Sequence, residues 1–91
     1  MPRMFDHIDL RVPDLAAVTP FYQKVLPALG FTRQVEVDGW LQYEDEMEIA
    51  GGFFGVTASP DHVPNGNRIA FRADSVEAVE QLAEVIVEAG A

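Results

Sequence analysis

The sequence predicts a mixed α+β domain in which a β-α-β-β-β unit is followed by the β-α opening of a second unit. Two stretches of period-two alternation indicate strands, and apolar residues at helical spacing follow each of them. Glycine and proline clusters separate the segments. We expect a single domain over residues 1–91, with a complete unit at 4–59, a linker at 60–66 and a partial second unit at 67–91.

Alternation gives the first predicted strand, residues 5–12, two different faces. The apolar face carries Ile8, Leu10 and Val12, and the polar face carries Phe5, His7, Asp9 and Arg11. We therefore expect core packing on one side of this strand and candidate functional groups on the other.

The predicted first helix begins after its N-cap, Asp14, and ends at Gly30. Three strands follow, at about 31–37, 40–44 and 53–59, and Asp38-Gly39 predicts a tight hairpin between the first two. Both Phe53 and Phe54 are expected in the core. The acidic residues 44–48 lack the loop spacing of a calcium site and predict an exposed turn or strand end.

The second unit is predicted as a strand at 67–73 and a helix capped by Asp74 or Ser75. Four glutamates line the polar face of this helix without basic residues between them, so it should depend on packing against the sheet. The sequence stops after this helix. A partial unit leaves apolar surface and an unpaired strand edge, so we expect a partner, most simply a second copy of the chain.

Composition excludes several functions. No cysteine is present, which rules out disulfides, thiolate zinc sites and a cysteine nucleophile, and fits a cytoplasmic protein. The net charge of −9 disfavours nucleic acid and anionic membranes as partners. Neither a signal peptide nor a run long enough to cross a bilayer is visible.

Several motifs together resemble one protein family. The stretches FDHIDLRVPDL at 5–15, FY at 21–22 and LPALGF at 26–31 resemble the opening of the vicinal oxygen chelate superfamily, which includes glyoxalase I, bleomycin-resistance proteins and extradiol dioxygenases. GFFGVT at 52–57 resembles its fourth strand, and NRIAFRA at 67–73 resembles the start of its second module. The resemblance implies two β-α-β-β-β modules curled around a cup, with helices on the convex face. The last three strands of the second module are absent from this sequence.

The resemblance also implies where a metal would bind in metal-dependent members: a histidine on the first strand, a histidine on the fifth and a glutamate on the eighth, with a further ligand from the fourth in some. His7 occupies the first of these positions, as a remnant ligand. Arg68 occupies the fifth-strand position and has no lone pair to offer, and the fourth strand has no Asp, Glu or His. We expect no cofactor in a single chain, because a catalytic divalent metal needs about three protein ligands.

The candidate ligand-binding residues are His7, Asp9, Arg11, Trp40, Arg68 and Arg72. The arginines could converge with Asp9 to hold a carboxylate or phosphate, or they could form ion pairs or meet another subunit. Trp40 could stack on a flat ligand, cover the floor of the cup or lie in a dimer contact. For His7 the simpler interpretation is a hydrogen bond to Asp9 or to a neighbouring chain.

Three functions follow from these residues. The first is a homodimer that binds a small, anionic or aromatic molecule without metal. The second is a degenerate family member that retains only the fold. The alternative is a metal-dependent lyase or dioxygenase whose site is assembled across the dimer from both copies of His7 and carboxylates such as Glu44.

Overall fold

The computed structural model describes residues 6–45 and 52–91. Its elements run in the order β1 (His7–Val12), α1 (Leu15–Ala28), β2 (Phe31–Val37), β3 (Trp40–Asp45), β4 (Phe53–Ala58) and α2 (Val76–Glu88). The predicted α+β class is confirmed as a mixed four-stranded sheet with two helices. Two sequence expectations lie outside the described residues: the placement of Phe5 and the exposed turn or strand end at residues 46–48.

The four strands form one sheet in the order β1-β4-β3-β2. β1 runs parallel to β4, whereas β3 runs antiparallel to both β4 and β2. The register shifts between Phe31 and Arg33, which marks an irregularity at the start of β2. Within the described residues the outer edges of β1 and β2 have no strand partner.

Helix α1 begins and ends where its local chemistry predicts. The Asp14 carboxylate accepts a hydrogen bond from the Ala17 amide at 3.2 Å, which satisfies one of the free donors of the first turn. Gly30 adopts a φ of 109° just after the helix, a conformation that glycine reaches without steric cost. The helix packs on the face of the sheet that carries the alternating apolar residues of β1.

The core lies between α1 and this face of the sheet. Its buried members are Val12, Leu26, Leu41, Tyr43, Phe54 and Val56. Burial raises the pKa of the Tyr22 and Tyr43 phenols, so both stay neutral well above physiological pH. The Tyr43 hydroxyl donates a hydrogen bond to Gln34 Oε1 at 3.1 Å, which satisfies the polar end of that side chain.

The hairpin between β2 and β3 depends on backbone conformation at Gly39, where φ is 89°. Replacing Gly39 with alanine should lower the free energy of unfolding by about 1–2 kcal/mol, because a Cβ disfavours this conformation. Urea unfolding measures the change. The matched control is Gly66→Ala. A Cβ at either Gly39 or Gly66 meets nothing within 4 Å, and of these two glycines only Gly39 has a positive φ. Equal losses in the two variants would contradict this account of the hairpin.

The segment predicted as a fifth strand, residues 67–73, forms no strand. A strand is defined by backbone pairing, and within the described residues no strand runs beside this segment. Its Ile69 and Phe71 side chains instead line an apolar groove that α1 also lines. The Phe71 ring lies 5.7 Å from the Phe54 ring and 6.2 Å from the Phe31 ring, yet 39% of Phe71 remains exposed.

Helix α2, capped by Ser75, also departs from expectation, because it contacts α1 more than it contacts the sheet. None of its residues is buried, and Val76 and Val87 are 75% and 66% exposed. An apolar groove of about 540 Å³ separates α1 and the segment 67–73 from the Leu82 and Ile86 side of α2. Helix α2 stays exposed because the described chain offers it no second sheet to cover.

Neither helix combines the length and the apolar character that a membrane span requires.

Candidate functional site

The polar face of the sheet, opposite α1, is an ordered grid of side chains. Residues that pair across neighbouring strands point to the same face, so strand register sets which side chains meet. Three rows cross β1, β4 and β3: Arg11–Thr57–Trp40, Asp9–Gly55–Gln42 and His7–Phe53–Glu44. The alternation of β1 thus places its three polar residues in three successive rows, as the sequence predicts.

A hollow lies at the centre of this grid because Gly55 has no side chain. Its volume is about 310 Å³, and it is lined by His7, Asp9, Arg11, Trp40, Phe53, Gly55 and Thr57. A Cβ built on Gly55 would meet Phe53 Cε2 at 3.6 Å, Asp9 Oδ1 at 3.7 Å and the Ile8 carbonyl oxygen at 3.8 Å. These are ordinary contact distances, so the position could accept a side chain, and glycine keeps the floor of the hollow open.

One end of the hollow is a pair of stacked rings. The His7 imidazole lies 4.4 Å from the Phe53 ring, centroid to centroid, and the two planes differ by 6°. His7 Nδ1 lies 2.9 Å from Asp6 Oδ2, so its partner is Asp6 rather than the predicted Asp9. The physical reason is strand geometry: Asp6 immediately precedes β1, whereas the Asp9 carboxylate is already bonded elsewhere. Phe53, which we expected in the core, is half-buried in this stack.

The other end of the hollow is formed by Trp40. Its indole Nε1 donates a hydrogen bond to Gln42 Oε1 at 3.1 Å, which ties the ring to the middle row. The residue is 39% exposed, so much of its flat surface is open to solvent. Beyond Phe53 in the third row, the Arg33 guanidinium donates to Glu44 Oε1 at 3.0 Å, so this carboxylate already has a cationic partner.

The hollow also contains one acidic and one basic side chain, Asp9 in the middle row and Arg11 in the row of Trp40. The Thr57 hydroxyl donates a hydrogen bond to Asp9 Oδ1 at 2.5 Å, which fixes the carboxylate across the β1–β4 pair. Arg11 lies two residues along the same strand and the same face. Within residues 6–45 and 52–91, the Arg11 guanidinium forms neither an ion pair nor a hydrogen bond. The two opposite charges therefore share the hollow without being bonded to each other.

The structure does not bring Arg68 and Arg72 into this hollow. Alternate residues of their segment, among them Ile69 and Phe71, line the apolar groove on the helix side of the sheet. The two arginines fall at the intervening positions and are exposed. Four of the six residues singled out from sequence thus converge: His7, Asp9, Arg11 and Trp40. Phe53, Gly55 and Thr57 were missed, because their place in the hollow depends on the register of β4 with β1 and β3.

The donors at this site do not fit a catalytic divalent ion within one chain. The described residues contain no group of three or more His, Asp or Glu side chains close enough to hold a metal together. The hollow offers the imidazole of His7 and the carboxylate of Asp9, and no thiolate can complete the set because the chain has no cysteine.

Comparison with known proteins places this fold in a family. The model of the Glyoxalase/Bleomycin resistance protein/Dioxygenase superfamily matches residues 4–91. A similar solved structure is a glyoxalase/bleomycin resistance protein from Albidiferax ferrireducens T118, with a TM-score of 0.73 and 28% sequence identity. The match covers 97% of this chain and 73% of that one. A search of curated proteins finds no match. The match over nearly the whole sequence and the shared fold lead to one conclusion: the chain belongs to the Glyoxalase/Bleomycin resistance protein/Dioxygenase superfamily.

Proposed function

We propose that the hollow on the polar face of the sheet binds a small, flat molecule without a metal, and that the chain acts as a cytoplasmic homodimer. One observation carries the binding proposal: six side chains from three strands surround a space whose floor is a glycine. A volume of about 310 Å³ is at the small end of the range for ligand pockets. Rings at both ends favour a planar ligand.

The chemistry of the lining supports the binding of a small molecule without a metal. Flat aromatic surfaces supply apolar contact area with few rotatable bonds to immobilise, and the fixed Asp9 carboxylate and the free Arg11 guanidinium can set orientation. The rings, the carboxylate and the guanidinium can all contact a ligand directly, so binding does not require a metal. A degenerate member that retains only the fold is the remaining possibility, and the first experiment separates the two.

Trp40 is the single tryptophan of the chain, so its fluorescence reports on this hollow. We expect small aromatic acids and amines to change Trp40 emission in a saturable manner and to raise the midpoint of thermal unfolding. The control is the double variant Trp40→Phe/Val63→Trp, which moves the reporter to a residue that is 77% exposed and outside the hollow. If no compound changes either Trp40 emission or the unfolding midpoint, the binding proposal is wrong and the chain is a degenerate member that retains only the fold.

The homodimer is supported by surface that the single chain leaves uncovered. Helix α2 has no buried residue, the apolar groove beside it is open, and the outer edges of β1 and β2 are unpaired within the described chain. Light scattering should give twice the mass of one chain, with an interface that buries on the order of 1,200 Å² or more. A monodisperse monomer at the concentrations used for binding would contradict the dimer.

The metal-dependent alternative predicts a different result in elemental analysis. A lyase or dioxygenase site shared across a dimer would use His7 from both copies and Glu44, but Glu44 already pairs with Arg33. We expect the purified protein to carry far less than one divalent ion per dimer, and a chelator to leave the Trp40 response to aromatic probes unchanged. Stoichiometric metal that is lost in His7→Ala would overturn the metal-free proposal.

A further inference from the structure

We propose that the ligand of this hollow is a flat aromatic zwitterion, oriented with its anionic group at Arg11 and its cationic group at Asp9. This inference rests on the proposed binding function and specifies the class of molecule bound. It starts from one observation: the acidic Asp9 and the basic Arg11 lie two residues apart on the same face of β1 and form no ion pair with each other.

The Arg11 end suits a carboxylate. A guanidinium is always protonated and presents parallel N–H donors that match the two oxygens of a carboxylate. Arg11 has no partner of its own within the described residues, so an incoming anion displaces only water. Its row also contains Trp40, whose ring can contact the apolar body of the same ligand.

The Asp9 end suits an ammonium or another strong hydrogen-bond donor. The Thr57 hydroxyl occupies Oδ1 and holds the carboxylate in place, while Oδ2 has no partner within the part of the chain that is described. A charged donor at Oδ2 would make a charge-assisted hydrogen bond, the stronger kind in proteins. Gly55 lies beside Asp9 in the same row, so no side chain blocks the approach.

Spacing and net charge both favour a molecule with two opposite charges. The Cα atoms of residues two apart on a strand lie roughly 6.6 Å apart, so the two side chains start from points about as far apart as the substituents at opposite ends of a benzene ring. A simple anion would be repelled by Asp9 and by the net charge of −9 on the chain. A simple cation would be repelled by Arg11. A zwitterion has no net charge and offers each of the two groups an opposite partner.

The test uses para-aminomethylbenzoate and its two half-molecules, benzoate and benzylamine, titrated by calorimetry and by Trp40 fluorescence. We expect the zwitterion to bind at least about tenfold more tightly than either half-molecule, since it gains one charge-assisted contact over each. Equal affinity of all three compounds would overturn the zwitterion and leave the binding function standing. Absence of binding by all three, together with a silent aromatic panel, would instead overturn the binding function itself.

Two variants assign the ends of the ligand. Arg11→Gln should remove the advantage of the zwitterion over benzylamine, and Asp9→Asn should remove its advantage over benzoate. Each variant should leave the other advantage within about threefold, because the two contacts are separate. Circular dichroism checks that both variants fold. The assigned orientation would be contradicted if either folded variant lost the advantage of the zwitterion over both half-molecules. It would also be contradicted if both folded variants kept both advantages.

Discussion

Replacing Phe54 with alanine is expected to lower the free energy of unfolding by about 3–5 kcal/mol, the largest stability effect of any substitution considered for this chain. Phe54 is 2% exposed, and its ring lies 6.5 Å from Tyr22, 5.9 Å from Phe31 and 5.7 Å from Phe71. The substitution therefore leaves a cavity between β4 and α1. It also removes a contact that holds the segment 67–73 against the core. Urea unfolding followed by far-ultraviolet circular dichroism measures the loss.

The neighbouring Phe53→Ala is the matched control. It removes the same number of atoms from the next residue of β4, but on the opposite face of the sheet, where Phe53 is half-buried beneath His7. Loss of that stacked pair should cost about 1 kcal/mol. The side chain also forms part of the proposed site, so Phe53→Ala should weaken the binding of aromatic probes. Similar stability losses in the two variants would contradict the assignment of one face to the core and the other to the site.

Replacing Gly55 with valine is expected to weaken probe binding strongly while the protein stays folded. A Cβ fits at this position at 3.6 Å or more from its neighbours, and the added methyl groups would extend into the hollow. Valine favours strands and glycine disfavours them, so stability should hold or rise slightly. We expect affinity for para-aminomethylbenzoate to fall by more than about tenfold, measured by calorimetry.

Gly55→Ala completes this series. A single methyl group fills only part of the hollow, so the affinity of Gly55→Ala should lie between that of the native protein and that of Gly55→Val. Thermal unfolding of the three proteins serves as the control for folding. Full affinity in a folded Gly55→Val protein would place the ligand elsewhere on the molecule.

Local sequence signals predicted much of the fold because they act over a few residues. Asp14 and Gly30 bound α1, Asp38-Gly39 forms the hairpin, and the alternation of β1 correctly assigns Leu10 to the core side and Asp9 to the polar side. These features depend on caps, turn conformations and side-chain period, each of which can be read from neighbouring residues.

The expectations that were wrong depended on contacts between distant residues. Residues 67–73 have a strand-like pattern but no strand beside them within the described chain, so they pack through Phe71 instead. Consequently Arg68 and Arg72 do not reach the hollow. The role of Gly55 could not be read from the sequence, because it depends on the register that places this glycine between Asp9 and Gln42.

The central claim is that ligands bind on the polar face of the sheet rather than in the apolar groove behind it. Amide chemical shifts in ¹⁵N-labelled protein titrated with para-aminomethylbenzoate test this claim most directly. We predict saturable shifts at Asp9, Arg11 and Gly55, with the amides of Leu82 and Ile86 in α2 unchanged. Shifts concentrated at Leu82 and Ile86, with the β1 and β4 amides unmoved, would contradict it.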